Sequence, residues 1–243
     1  MLVQACSRVP DFNSRTAGVW RLTFDAANER VLTKGVILAP GLGLAGLRPT
    51  SVALGPDKSL YVGSLNTSDV KRVTTPAGAS QTVQTIGKAS GRRIFGVAFV
   101  GPNLYLAEAN GLSVIRNAAA CQGGCNAVPV AGVSAVETTA IASDGVDIVW
   151  LVQAPNVLQV TLSTGAAAVF ASQGTLPPGY TPLTSMFTDS VDTCTGGTCS
   201  FTFAPGQPNL LALDGDGRLV VGEDPGILTP MNPSPFCGRL WRF

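Results

Sequence analysis

The sequence predicts an all-β fold, a β-propeller of four-stranded blades. Three observations carry the prediction: a short third-strand pattern that recurs along the chain, an apolar hairpin unit that precedes most of its copies, and a composition suited to many short strands. Gly (28) and Pro (17) are plentiful among 243 residues, 45% of residues are hydrophobic and only 13% are charged. Such a balance favours short strands joined by tight turns.

The third-strand pattern is a small or turn residue followed by alternating apolar positions with a basic or amide residue among them. It reads Gly18-Val19-Trp20-Arg21-Leu22, Asp69-Val70-Lys71-Arg72-Val73, Gly111-Leu112-Ser113-Val114-Ile115-Arg116, Asn156-Val157-Leu158-Gln159-Val160 and Gly238-Arg239-Leu240-Trp241-Arg242. Four of the five copies follow an apolar strand, a turn and a second apolar strand. These units run over Ser51–Gly63, Gly96–Glu108, Thr139–Leu151 and Leu210–Asp224, with Gly55-Pro56-Asp57, Gly101-Pro102, Asp144-Gly145 and Asp214-Gly215 at their turns. Period-2 alternation around such turns specifies hairpins, not helices. A fourth, edge strand follows in Gln81–Ile86, Ala127–Ala131 and Ala166–Ala171.

Copies begin at 18, 69, 111, 156 and 238, so the steps are 51, 42, 45 and 82. A period near 43–45 residues matches a four-stranded blade. The doubled last step places a degenerate blade or a Cys-containing insertion at about 175–208. The first copy has only Met1–Ala5 to serve as an earlier strand. The expectation is one domain over residues 1–243 with six blades, five or an incomplete ring being the alternatives.

Function classes are narrowed by what the chain contains. It has no histidine, which removes Ser-His-Asp and Cys-His catalysis and His-ligated metal or haem. Net charge is +1, so clustered phosphate binding, and with it nucleic acid, is not expected. No stretch approaches the roughly 20 apolar residues of a membrane span. Charge is nevertheless segregated: residues 1–116 hold 13 Lys/Arg against 6 Asp/Glu, and residues 117–217 hold no Lys or Arg and 7 acids. That asymmetry reads either as drift on a weakly charged surface or as a docking face that steers a partner or a second copy.

Six cysteines fall as Cys6, Cys121, Cys125, Cys194, Cys199 and Cys237. Cys121-Gln-Gly-Gly-Cys125 and Cys194-Thr-Gly-Gly-Thr-Cys199 have spacings that close small local disulfides, because glycine lets the chain double back. Cys6 and Cys237 sit near the two chain ends, where a ring would bring them together. Free thiols, or a metal site built from the two Gly-rich pairs, are the competing readings. Disulfides imply an extracellular or periplasmic location.

The pattern of apolar first strand, Asp/Pro-Gly-type turn, Leu-Tyr-Val and Val-x-Arg-Val resembles the NHL-repeat and gluconolactonase/strictosidine-synthase-like propellers, over most of the chain. Resemblance to the gluconolactonase type implies a divalent metal held in a central channel by Glu, Asn and Asp side chains. Glu108, Asn110, Asn66 and Glu223 fall just after second strands, where a propeller presents its open surface. The family's ligand motifs do not match residue by residue, so polar loop residues are the competing reading. Asp214 and Asp216, in Asp-Gly-Asp-Gly, resemble the start of a calcium loop, but no Glu stands at the twelfth position and a strand follows at once, so a hairpin turn is expected. Asn66-Thr67-Ser68 is a glycosylation sequon on a predicted loop. Trp20 and Trp241 occupy neighbouring positions of the third-strand repeat and read as packing residues. The favoured function is a non-enzymatic binding or assembly module with a protein partner or with itself. The alternative is a lactonase-type hydrolase using channel-bound Ca²⁺ or Zn²⁺.

Overall fold

The computed structural model describes residues 19–24, 31–38, 49–74, 82–91, 93–172, 208–223 and 240–242. Cys6, Cys194, Cys199 and Cys237 lie outside them, as does the 175–208 insertion apart from Pro208. The described chain is all-β apart from one 3-10 turn at Ala118–Ala120.

Among the described residues the strands form five antiparallel sheets. The first pairs β1 (Val19–Phe24) with β2 (Val31–Leu38). The next is complete: β3 (Pro49–Leu54), β4 (Leu60–Ser64), β5 (Asp69–Thr74) and β6 (Thr82–Lys88), in that spatial order. Two more complete sheets follow, β7 (Ile94–Val100) to β10 (Val128–Pro129) through β8 (Asn103–Glu108) and β9 (Gly111–Ile115), and β11 (Ala140–Ser143) to β14 (Ala166–Ser172) through β12 (Ile148–Gln153) and β13 (Asn156–Thr161). The last holds β15 (Pro208–Leu213), β16 (Leu219–Glu223) and β17 (Leu240–Arg242).

The repeats predicted from sequence map onto this order. All four hairpin units form hairpins: β3–β4, β7–β8, β11–β12 and β15–β16. Third-strand copies become β5, β9, β13 and β17, and the fifth becomes β1, joined to a following strand as a third strand should be. Each of the four hairpin turns contains a residue with positive φ: Lys58 (61°), Gly101 (54°), Gly145 (79°) and Gly217 (76°). Gly101 (φ 54°) lets β7 return as β8 after two residues, and Gly217 (φ 76°) closes the β15–β16 turn. A bulge recurs near the start of first strands, between Pro49/Ser51, Ile94/Gly96 and Pro208/Leu210.

First strands of successive sheets pack side by side, β3 on β7, β7 on β11 and β11 on β15. The apolar residues therefore bury between sheets. One core joins Tyr61, Val70 and Ile86 to Ile94, Leu104, Leu106 and Ile115. A second joins Tyr105, Leu112 and Val114 to Ile141, Val149, Leu151 and Val160, and a third joins Val152 and Val157 to Leu211, Leu219 and Val221. Hydroxyls stitch the same seams: Thr50 Oγ1 donates to the Ile94 carbonyl (2.6 Å), Val97 N–H donates to Ser51 Oγ (3.0 Å), and Ser143 Oγ donates to the Phe99 carbonyl (2.8 Å).

Candidate functional site

Polar side chains gather where second strands end. The last residues of β4, β8 and β12 are Ser64, Glu108 and Gln153, and all three are buried (0%, 0% and 5% exposed). An apolar strand delivers each to the end of its sheet, where the backbone turns and its N–H and C=O groups need partners.

Glu108 is the centre of this arrangement. One carboxylate oxygen accepts from Ser90 N–H (3.2 Å) and from the Ser113 hydroxyl. The other accepts from the Ser90 hydroxyl (2.9 Å) and from Gly91 N–H. Ser90 and Gly91 belong to the crossover that leads from β6 into β7. The carboxylate thus clamps the entry of its own sheet, and four donors replace the water a buried charge gives up. Gly91 is fitted to the clamp, since a Cβ there would lie 2.9 Å from Glu108 Oε2 and would collide with Asn110 Oδ1.

Gln153 closes the end of the following sheet in a similar way. Its amide nitrogen donates to Thr138 Oγ1 (2.9 Å) and to the Ser134 carbonyl (3.2 Å), while its oxygen accepts from Ser134 Oγ (2.9 Å). Thr138 N–H in turn donates to the Glu108 carbonyl (2.9 Å), so one polar network crosses from sheet to sheet.

The predicted site residues separate into two places. Glu108 and Asn110 come together around Gly91, Asn110 being exposed with Nδ2 3.5 Å from Ser90 Oγ. Contrary to the expectation for an open propeller surface, the Glu108 carboxylate is buried and fully engaged, because its loop partners close over it. Asn66 is exposed on the β4–β5 loop and accepts from Ser64 Oγ (2.7 Å); Glu223 ends β16. Asp214 and Asp216 lie at the opposite end of their hairpin. Asp214 Oδ1 accepts from the N–H groups of Asp216 and Arg218 (2.9 Å each), which is a turn-forming role. No group of three or more Cys, Asp or Glu side chains among the described residues has the closeness of a metal site.

Asp144 anchors the β11–β12 turn in the same manner. Burial tends to raise its pKa, but N–H bonds from Val146, Ile148 and Asp147 outweigh burial and hold it below the ordinary 3.8. Tyr61 shows the opposite effect: burial pushes its phenol up to about 12, with Arg72 opposing and Asp57 reinforcing the shift. Its hydroxyl donates to Asp57 Oδ2 (3.1 Å).

Gln153, Ser113 and the Ser90-Gly91 pair are not among the residues that sequence reasoning selects. A signal for the first is present in Leu-Tyr-Leu-Ala-Glu108 and Val-Trp-Leu-Val-Gln153, apolar runs closed by a polar residue at equivalent places of two repeats.

The outer edges of the sheets differ sharply. The β6 edge is covered by the loop carrying the Cys121–Cys125 disulfide. β10 is only two residues long. β14 is long, and among the described residues no strand pairs with its outer side: Ala166, Ala167, Ala168 and Val169 are consecutively exposed, Val169 at 59%, and the strand carries no charged residue.

No protein-family model matches the chain, and no curated protein matches it at a significant level. Solved structures do. The PQQ-bound aldose sugar dehydrogenase from Streptomyces coelicolor aligns over 93% of this chain and 71% of its own, with a TM-score of 0.53 and 14% identity. The virginiamycin B lyase of Staphylococcus aureus, solved with quinupristin, aligns over 87% and 65%, with a TM-score of 0.50 and 14% identity. The chain spans 19% of the extracellular domain of a hybrid two component system from B. thetaiotaomicron, at a TM-score of 0.45. Identities this low speak for the fold alone. Sheet order and structural likeness together make this chain an all-β, propeller-like protein of four-stranded antiparallel sheets. No helix among the described residues is long and apolar enough to cross a membrane.

Proposed function

We propose that the chain is a six-bladed, extracellular or periplasmic propeller that works as an assembly module, binding a second copy of itself through the β14 edge. The observation that carries this reading is the exposed, charge-free run Ala166–Val169 on an outer strand. An outer strand offers a row of backbone donors and acceptors, and proteins that avoid edge pairing blunt such strands with charge, proline or a cover. β14 has no charge and no proline, whereas β6 has a cover. Two copies meeting antiparallel at β14 set no like charges opposite each other within the strand. The Cys121–Cys125 disulfide supports a location outside reducing compartments.

A lactonase-type metal site is the weaker reading. It would need Glu108 to surrender hydrogen bonds at one oxygen or both before it could hold a cation, and this counts against it. Light scattering coupled to gel filtration tests the assembly reading. The native chain should form a dimer whose weight falls on dilution, and Val169→Lys should be monomeric at the same concentrations. A native chain that stays monomeric up to the highest soluble concentration would overturn it.

A further inference from the structure

The Cys121–Cys125 loop does more than close on itself. Cys125 N–H donates to the Ile86 carbonyl (3.0 Å) and Ala127 N–H to the Lys88 carbonyl (2.8 Å), so the loop lies along β6 of the preceding sheet in the manner of an added strand. Side chains hold it from below. Arg72, 6% exposed, donates through Nη1 to the Ala119 carbonyl (2.8 Å) and through Nη2 to Gln84 Oε1 (2.8 Å), and the Gln84 amide donates to the Gln122 carbonyl. Cys121 and Ala118 are buried in the core shared by the two sheets. Gly87 is fitted to the docked loop, because a Cβ there would run into the Cys125 carbonyl.

The cross-link restricts the loop as well. Gly123 (φ 132°) and Gly124 (φ 74°) give the segment wide backbone freedom, and an unclosed loop of that kind must select the docked conformation from many others. Cys125 is the partly exposed residue of the pair and Cys121 the buried one (3% exposed).

We propose that this loop is a redox-released cap: a dithiol that reduces Cys121–Cys125 frees the loop from β6 and opens the outer edge of that sheet. A thiolate of the dithiol attacks the sulfur of Cys125, the less buried residue of the pair, forming a mixed disulfide and expelling Cys121 as a thiolate, which takes up a proton. The second thiol then closes the reductant's own disulfide and releases Cys125 as a thiol. Two electrons pass from dithiol to protein, and the loop gains two S–H groups. This inference does not depend on β14; failure of one leaves the other standing.

Amide hydrogen exchange in the full chain tests it, read at Cys125 and Ala127, whose N–H groups are protected only while the loop is docked. Because a dithiol also reaches other cysteines, two variants isolate the effect: Cys121→Ser/Cys125→Ser, and Gly87→Ala, which blocks docking with the disulfide intact. Each lost hydrogen bond is worth on the order of a fivefold change, so exchange at the two amides should quicken about tenfold or more in the reduced chain and in both variants. Gly87→Ala should also be reduced faster than the native chain, a readout that stands if the double variant does not fold. The proposal is overturned if both amides stay protected once alkylation and mass show free thiols at Cys121 and Cys125. Equal reduction rates for Gly87→Ala and the native chain would overturn it as well.

Discussion

Replacing Glu108 with glutamine changes one atom and should cost the fold heavily. Each carboxylate oxygen accepts one backbone N–H, from Ser90 or from Gly91, and one serine hydroxyl. A glutamine must put an NH₂ group on one of those sides. The hydroxyls can turn and accept from it, but a backbone N–H cannot, so one part-buried donor is orphaned against the buried amide whichever way it lies. An orphaned donor costs about 1–3 kcal/mol, the upper end needing full burial. Losing the charge on the remaining bonds adds roughly 1 kcal/mol, since bonds to ionised acceptors are stronger than neutral ones. The expected loss is therefore about 2–4 kcal/mol, which at a urea slope of roughly 2–3 kcal/mol/M moves the midpoint down by about 1 M. Urea unfolding followed by tryptophan fluorescence measures it, with exchange at Ser90 and Gly91 as the local readout. A midpoint within about 0.3 M of native, with both amides still protected, would refute the clamp and make Glu108 a carboxylate available to a ligand.

Three further outcomes follow from the same geometry. Asp144 has a lowered pKa, so its stabilisation is complete above the ordinary 3.8 and fades as pH falls through the lower folded value; Asp144→Asn should differ from the native chain at neutral pH, and unfolding midpoints should converge as pH drops well below 4. Tyr61 has a raised pKa, so the stability its neutral phenol supplies is complete below 10.0 and is lost as pH rises through about 12; phenolate absorbance should place one tyrosine near 12, and Tyr61→Phe should remove that tyrosine from the titration. Gly96→Ala would set a Cβ 2.8 Å from Ile141 Cγ2 and 3.2 Å from its backbone nitrogen, at the seam between β7 and β11; overpacking of that kind costs about 1–3 kcal/mol, readable as a lower unfolding midpoint.

The hairpins and third strands are legible in the sequence because their signals are local. The apolar run Leu60-Tyr61-Val62 and the turn residues of Gly101-Pro102 or Asp214-Gly215 act within a few positions, and the same chemistry recurs in each repeat. The Cys121–Cys125 loop is legible for the same reason, its glycines lying between the two sulfurs. That the loop docks on β6 is not legible, since Arg72, Gln84 and Gly87 stand 34 or more positions earlier in the chain. The burial of Glu108 is hidden by the same kind of cause. Its place after an apolar strand marks a sheet end, but whether such an end meets solvent or a crossover is decided by Ser90 and Gly91, 18 and 17 residues away. Recurrent bulges at Thr50 and Phe95 also escape the pattern, because they fall near the start of their strands, where few positions precede the break in alternation.

Assembly turns on one strand, and amide exchange across β14 at several protein concentrations tests it most directly. As concentration rises and dimer forms, amides within Ala166–Ser172 should slow together, while those of the covered β6 edge stay unchanged. Dimer formation without any slowing in β14, or slowing that is independent of concentration, would contradict the account.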